Sequence, residues 1–205
     1  MKSSRRKIFF NDYAFYVSKD VYEPAEDTFL LAENLSVRGN DVVLDIGTGC
    51  GIFGILAAKK ARRIVATDLN PHAVDCAKVN AKLNKVADII ELLVGDLFQP
   101  IKQSEHFSLI LFNAPYLPSN PDEEKTWTGR AWAGGLMGRQ LIDRFIAGVP
   151  LYLYNHGRIL LVQSTLSNVE ETLHRLDEKG LEARILAEKK VMFETIVLIE
   201  AQRKK

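Results

Sequence analysis

Residues 42–51 read VVLDIGTGCG. The first half is strand-like, apolar and rich in β-branched side chains around a single acidic position, and the second half sets glycine at 47, 49 and 51. Glycines at that i, i+2, i+4 spacing let a chain leave a strand in a tight turn and let a ligand approach the backbone with no Cβ in the way. The following stretch, IFGILAAKKA at 52–61, spaces its apolar residues for a helix laid on a sheet. Strand, glycine loop and helix form one βα unit.

The same alternation continues downstream. RRIVATDLN (62–70) is a second strand ending at Asp68, and PHAVDCAKVNAKLNK (71–85) is a helix opened by proline. IIELLV with GDLFQP is a third strand and turn, and FSLILFNAPYLP (107–118) is a fourth strand running into a proline-bounded loop. A long helix from near Gly138 leads to a strand in GRILLVQS, and SNVEETLHRLDEKG is a helix stopped at Gly180. ARILAEKKVMFETIVLIEAQ closes the chain as a candidate antiparallel hairpin. Seven strands are expected, at about 41–46, 63–68, 89–94, 107–112, 157–163, 183–188 and 193–200. Strands separated by helices predict an α/β fold with a mostly parallel sheet.

Residues 1–40 are less regular, with a turn and helix in YEPAEDTFLLAENLS (22–36) that offers Phe29, Leu30, Leu31 and Leu35 for burial. No linker, repeat or low-complexity tract divides the chain, so 1–205 reads as a single domain. The segment 114–137 is long for a connection and reads as a lid or substrate loop.

Composition narrows the function. A chain of 205 residues buries roughly 70% of its unfolded surface around one core. Twenty-seven basic against 26 acidic residues leave +1, which excludes a strongly basic nucleic-acid binder, although the terminal RRK and RKK are open to a local phosphate contact. Two cysteines, Cys50 and Cys76, make neither a disulfide framework nor a zinc cluster, and fit a reducing cytoplasmic setting. The aromatics near the start are interrupted by charges, so no export signal is expected, and the longest apolar runs fall far short of the ~20 residues of a membrane helix. The histidines at 72, 106, 156 and 174 lack ligand spacing, and no metal site is expected.

Four places carry polar groups able to do chemistry. Asp45, directly before the glycines, can organise their loop or reach, through water, a cationic amino-acid end. Asp68 lies 23 residues further on, at the tip of the second strand, where a carboxylate accepts from two ribose hydroxyls. The competing reading makes it a cap for the helix at Pro71. Asp96 follows the third strand and can accept from an adenine amine, with Leu97 and Phe98 as apolar contacts, or can simply hold a turn. Asn113, followed by Ala114, Pro115 and Tyr116, joins a donor and acceptor to a stiff exit and an aromatic wall, a combination suited to a planar nitrogen nucleophile or, more plainly, to an Asn turn and a proline stop.

Taken together, YEPAEDTFLL (22–31), DIGTGCG (45–51), ATDLNPHAV (66–74), NAPYLP (113–118) and WAGGLMGRQLIDRF (132–145) make the chain resemble class I S-adenosylmethionine-dependent methyltransferases, and among them the HemK-like protein-glutamine N5-methyltransferases. The short archaeal and eukaryotic branch is the match, since the long N-terminal factor-binding domain of the bacterial enzymes has no counterpart. The resemblance implies a Rossmann-like sheet of order 3-2-1-4-5-7-6 flanked by helices, with the seventh strand antiparallel. It assigns the cofactor to Gly47, Gly49 and Gly51, to Asp68 with Leu69, and to Asp96 with Leu97. Tyr22, Glu26, Asp27 and Thr28, in an N-terminal extension over 1–40, are implied to fold over it.

The family's Asn-Pro-Pro-Tyr stands here as Asn113, Ala114, Pro115 and Tyr116. By that likeness the Asn oxygen and the next carbonyl accept from the substrate NH2 while the tyrosine confines its planar group. Ala114 departs from the usual proline and keeps the carbonyl while loosening the loop. Trp132 with Gly134 and Gly135 is expected to support this loop, and Arg139, Asp143 and Arg144 to form a salt-bridge cluster. The implied reaction methylates the glutamine of the GGQ loop in a translation termination factor, with a small zinc-binding activator as partner. Adenine-N6 methylation, protein-lysine methylation and an inactive cofactor-binding interaction protein are the alternatives.

Overall fold

The computed structural model describes residues 6–204. Its centre is a seven-stranded sheet of β3 (Val42–Ile46), β4 (Arg63–Asp68), β5 (Ile90–Val94), β6 (Phe107–Asn113), β7 (Leu153–Ser164), β8 (Leu181–Lys190) and β9 (Thr195–Arg203), ordered β5-β4-β3-β6-β7-β9-β8. Counted from β3 as the first, this is 3-2-1-4-5-7-6, the expected order. β3 to β7 pair in parallel, and β9 lies antiparallel to both β7 and β8. The order of the strands reverses between the parallel neighbours β3 and β6, so the crevice at their carboxyl ends is where an open α/β sheet binds its ligand.

Five of the helices are α1 (Glu26–Glu33), α2 (Ile52–Ala57), α3 (Pro71–Leu83), α5 (Gln140–Gly148) and α6 (Val169–Glu178). Between α3 and α5, a single turn of helix, α4 (Trp127–Arg130), interrupts the long segment after β6. The helix expected from Gly138 starts later and ends at Gly148, because Pro150 closes a 3-10 turn over Val149–Leu151. α6 is capped by Asn168, whose side chain accepts from Glu171 N, and stops before Gly180 at φ +73°.

Central strands are apolar on both faces, as a sheet covered by helices requires. Phe107, Leu109, Ile110 and Leu111 are fully buried, as are Val43 and Leu44 beside them. Phe98 belongs to this core: it stacks on Tyr152 at 4.8 Å and on Phe145 at 5.7 Å between ring centres. At the opposite end from the crevice, buried Asp41 and Arg158 pair at 2.9 Å. Burial pushes the Asp41 carboxyl up, but hydrogen bonds from Arg158, the Arg38 N–H and the Ser108 hydroxyl hold it below its ordinary value.

The N-terminal region is more regular than its sequence suggests. β1 (Arg6–Phe10) and β2 (Tyr13–Val17) form an antiparallel hairpin turned at Asn11, which has φ +49°. The outer edge of β2 is closed by side chains of α3 that imitate a neighbouring strand. Asn84 exchanges hydrogen bonds with Ala14 N and O, and Asn80 does the same with Tyr16 N and O at 2.8 Å each. These asparagines lie one helical turn apart and the strand residues two apart, so both pairs meet at once. Asn80 also donates to the Cys50 carbonyl at 2.8 Å, fastening the hairpin to the glycine loop.

Of the terminal basic clusters, Arg5 and Lys205 lie outside the described residues. Arg6 pairs with Glu23, Arg203 donates to the carbonyls of Pro150 and Leu153, and Lys204 pairs with Asp177. No helix among the described residues is long and apolar enough to cross a membrane, and no group of three or more His, Cys, Asp or Glu is arranged to hold a metal.

Candidate active site

The glycine loop turns through three left-handed backbones, at φ +66°, +56° and +88° for Gly47, Gly49 and Gly51. Gly47 and Gly49 line the cleft at the carboxyl ends of β3, β4 and β6. Gly51 does not. A Cβ there would stand 3.0 Å from Ala77 Cβ, so its absence lets α2 pack against α3 instead of admitting a ligand. Asp45 also stands behind the cleft: fully buried, it accepts from the Thr48 hydroxyl at 2.7 Å and from Gly54 N at 3.1 Å. It therefore ties strand, loop and helix together. Its Oδ1 is buried without a partner, and burial raises the carboxyl to about 7, against the hydrogen bonds that lower it.

Asp68 faces the same loop. Its Oδ2 accepts from Gly49 N and its Oδ1 from Asn70 N, each at 2.8 Å. Each oxygen keeps lone-pair capacity toward the cleft, so the carboxylate can still take two hydroxyls. Burial raises its pKa while the two backbone donors oppose the rise. The cap of α3 is Asn70, not Asp68: the Asn70 side chain accepts from His72 N at 2.9 Å. Leu69, 49% exposed, lines the cleft beside it.

Asp96 and Leu97 form the next wall. Leu97 is held at φ +48°, which is costly for a side-chain-bearing residue and fixes its position against the cleft. Asp96 pairs with Arg144 at 2.7 Å, so Arg144 belongs to the cleft and not to the cluster expected with Arg139 and Asp143. Arg139 is buried and structural: it pairs with Asp143 at 2.7 Å and donates to the Ser167 and Asn168 carbonyls and the Thr172 hydroxyl. Phe98, in the core, is not a contact for a base.

Asn113 ends β6 at the floor. Its Nδ2 donates to Asp27 Oδ2 at 2.9 Å, and its Oδ1 is buried with no partner. Asp27, 5% exposed at the start of α1, also accepts from Thr28 N at 2.6 Å and from the Tyr22 hydroxyl at 3.1 Å to both oxygens. Burial first, and then the Asp27 charge, keep Tyr22 protonated far above its ordinary range, so it remains a donor. An ionised carboxylate can only accept, so this triad presents the Asn113 NH2 to Asp27 and its oxygen to the other side.

The neighbours of Asn113 divide differently from expectation. Pro115 lines the cleft, whereas Ala114 is 3% exposed and Tyr116 8% exposed, and neither side chain is part of the cleft wall. Tyr116 packs near Asp27, and burial and that charge push its phenol up. Of the N-terminal candidates, Tyr22 and Thr28 line the cleft, Asp27 acts from behind Asn113, and Glu26 is exposed at the first turn of α1. Trp132 stands outside; its carbonyl accepts from Leu117 N at 3.0 Å, and Gly134 N returns to Leu117 O at 2.8 Å, so this segment braces the loop after β6 through its main chain. The tryptophan that lines the cleft is Trp127, with Arg130 over its ring at 5.0 Å. The two tryptophans sit five residues apart in one loop, and Thr126, a capping residue immediately before Trp127, was the local signal separating them.

Residues 16–129 match the family model described as the methyltransferase small domain. A Methanocaldococcus jannaschii protein carrying the name protein N5-glutamine methyltransferase is 44% identical over 186 residues, 90% of this chain and 92% of that one. The chain belongs to the HemK-like family of protein-glutamine N5-methyltransferases. Human methyltransferase HEMK2 is 34% identical, covering 88% of this chain and 89% of its own. Among solved structures, the Encephalitozoon cuniculi Mtq2-Trm112 complex, described as responsible for methylating the eRF1 translation termination factor, is 30% identical. It superposes with a TM-score of 0.70 over 90% of this chain and 99% of that one.

The cofactor of this family member is S-adenosylmethionine, and the residues present fit it. A Cβ-free cradle at Gly47 and Gly49, a carboxylate at Asp68 with capacity left, apolar walls at Leu69 and Leu97, and an acceptor at Asp96 follow one another along the strand tips. Asn113, whose Oδ1 is buried without a partner, lines the same cleft.

Proposed function

We propose that this protein methylates the side-chain nitrogen of the glutamine in the GGQ loop of a translation termination factor. The carrying observation is Asn113 Oδ1: a buried acceptor without a partner, in a side chain whose other end is fixed by Asp27 at 2.9 Å. A buried unsatisfied acceptor costs about 1–3 kcal/mol, a debt that a bound N–H donor removes. A primary amide brings two such donors on one planar nitrogen.

Bound S-adenosylmethionine supplies a methyl group on a sulfonium centre. Gly47 and Gly49 hold its amino-acid portion, Asp68 with Leu69 the ribose side, and Asp96 with Leu97 the adenine side. Tyr22 and Thr28 cover it from the N-terminal segment, which with the sheet makes 1–205 one catalytic unit.

Asn113 Oδ1 accepts one N–H of the substrate amide, and the Ala114 carbonyl accepts the other. Held this way the nitrogen lone pair is aimed into the cleft, and positioning and water exclusion do most of the catalytic work. Once methylated, the nitrogen is positively charged and acidic, and it releases its proton to water at the mouth. The Asp27 carboxylate, one hydrogen bond behind Asn113, favours positive charge at that point.

The Mtq2 relative is solved with Trm112, and a small activator of that kind, zinc-binding as the resemblance implies, is the expected partner. The near-neutral charge favours a protein amide over a nucleic acid and fits cytoplasmic translation machinery. Incubation with labelled S-adenosylmethionine and a termination factor, followed by peptide mapping, tests the reading. Label on the GGQ glutamine supports it; label on adenine or lysine, or cofactor binding without transfer, overturns it.

A further inference from the structure

Large apolar side chains stand in solvent on two loops beside the Asn113–Tyr116 segment, outside the cleft wall. Leu136 and Met137 are 76% and 74% exposed, and Met192 and Phe193 are 86% exposed each. They come from two loops that meet the catalytic segment. Leu136 and Met137 lie between Gly135, whose carbonyl accepts from Ser119 N at 2.9 Å, and Gly138, where a Cβ would stand 2.2 Å from the Tyr116 carbonyl. Met192 and Phe193 form the tip of the β8–β9 hairpin. Ile196, just beyond that tip, pairs with Ser164, two residues past the Val162 that pairs with Asn113.

Glu194, next in the chain, is near enough to Tyr22 and Tyr116 to act on both electrostatically. Its Oε2 is buried and has no partner among the described residues. Single exposed apolar residues are ordinary, but pairs on converging loops beside a catalytic mouth mark a binding surface. Tight turns favour polar or small residues, so the turn itself does not account for Met192 and Phe193.

We infer that this rim is the docking surface for the termination factor, which lays the polypeptide flanking its glutamine across Leu136, Met137, Met192 and Phe193 and presents a hydrogen-bond donor or cationic side chain to Glu194. The inference rests on the reading that the substrate is that factor's glutamine. Continuity decides the occupant: a glutamine that reaches Asn113 at the floor carries its flanking chain over the rim. The unpartnered carboxylate adds the charge preference. Apolar flanks and one donor, not a basic face, are what the rim selects.

Met192→Ser/Phe193→Ser, Leu136→Ser/Met137→Ser and Glu194→Gln are compared with wild type on the full-length termination factor, alongside cofactor affinity and melting temperature. The serine changes fall on exposed side chains and leave folding intact. The expected result is a KM for the factor raised about tenfold or more in each serine pair, and about threefold or more in Glu194→Gln, with kcat within about twofold. Cofactor affinity and melting stay at wild-type values. Unchanged KM in the serine pairs, while wild type methylates the factor, overturns the docking surface and leaves the proposed reaction standing. Failure of wild type to methylate the factor overturns both, and loss of self-association in the serine pairs without a change in KM assigns the rim to a second copy of the chain.

Discussion

Asp27→Asn changes one atom type and removes one charge at the point where Asn113 is oriented. In the wild-type arrangement Asp27 Oδ1 accepts from Thr28 N at 2.6 Å and Oδ2 from Asn113 Nδ2 at 2.9 Å. An amide at 27 must keep its oxygen on the fixed backbone donor of Thr28, which turns its own NH2 toward the NH2 of Asn113. Two donors then face each other, and relief comes only when Asn113 rotates its amide and sends its NH2 into the cleft. The cost of the lost charge-assisted bond is about 1.5–3 kcal/mol, and a rotated Asn113 meets the substrate amide donor to donor. At about 1.4 kcal/mol per decade this is roughly a 10- to 100-fold loss in the rate of methyl transfer.

The assay is single-turnover transfer to the termination factor at saturating S-adenosylmethionine, with cofactor affinity measured calorimetrically on the same preparation. Tyr22→Phe serves as the internal comparison: it removes one donor to Asp27 and leaves the carboxylate on Asn113, so it loses about tenfold at most. An Asp27→Asn rate within about threefold of wild type, in a protein that melts normally, refutes the orienting role. So does a loss of cofactor affinity as large as the loss of rate, which makes Asp27 a binding residue.

Three other consequences are measurable. Asp68→Asn weakens S-adenosylmethionine binding by about 10- to 100-fold by calorimetry, because the carboxylate that already holds Gly49 N and Asn70 N is also the ribose acceptor. Gly51→Ala places a Cβ 3.0 Å from Ala77 Cβ on a backbone at φ +88°; it costs about 2–4 kcal/mol and lowers the melting temperature by roughly 5–10 °C. Asp45, raised by burial from an ordinary 3.8 to about 7, binds its proton more tightly in the folded chain, so its contribution to stability falls as pH rises from about 4 to 7. Asp45→Asn has no such titration, and without added cofactor its stability gains on wild type across that window, by on the order of 4 kcal/mol at most, and levels above it. Denaturant melts at pH 5 and pH 8 that show a constant difference contradict that assignment.

The glycine loop and the place of Asp68 at a strand tip were legible because each is set by residues adjacent in the chain: three glycines impose the turn, and a strand ending in an acid delivers it to the crevice; the strand order, a matter of long-range pairing, came from the family resemblance alone. The orientation of Asn113 was not, since its partner Asp27 lies 86 residues away and nothing local marks the pair. The same holds for Asp96, whose partner Arg144 comes from α5, and for Tyr116, whose ring turns away from the wall toward Asp27. The N-terminal hairpin carried a readable sign in Asn11-Asp12 between aromatic runs. Its attachment depends on Asn80 and Asn84, which read as ordinary polar positions of an amphipathic helix until β2 is placed beside them.

Asn113 Oδ1 carries the account, and its removal is the most direct test. Single-turnover methyl transfer to the termination factor by Asn113→Ala, set against its cofactor dissociation constant, separates catalysis from binding. The expected result is a rate lower by at least about 100-fold, as for the loss of a preorganised acceptor, with S-adenosylmethionine affinity within about threefold of wild type. Transfer at the wild-type rate would contradict the account.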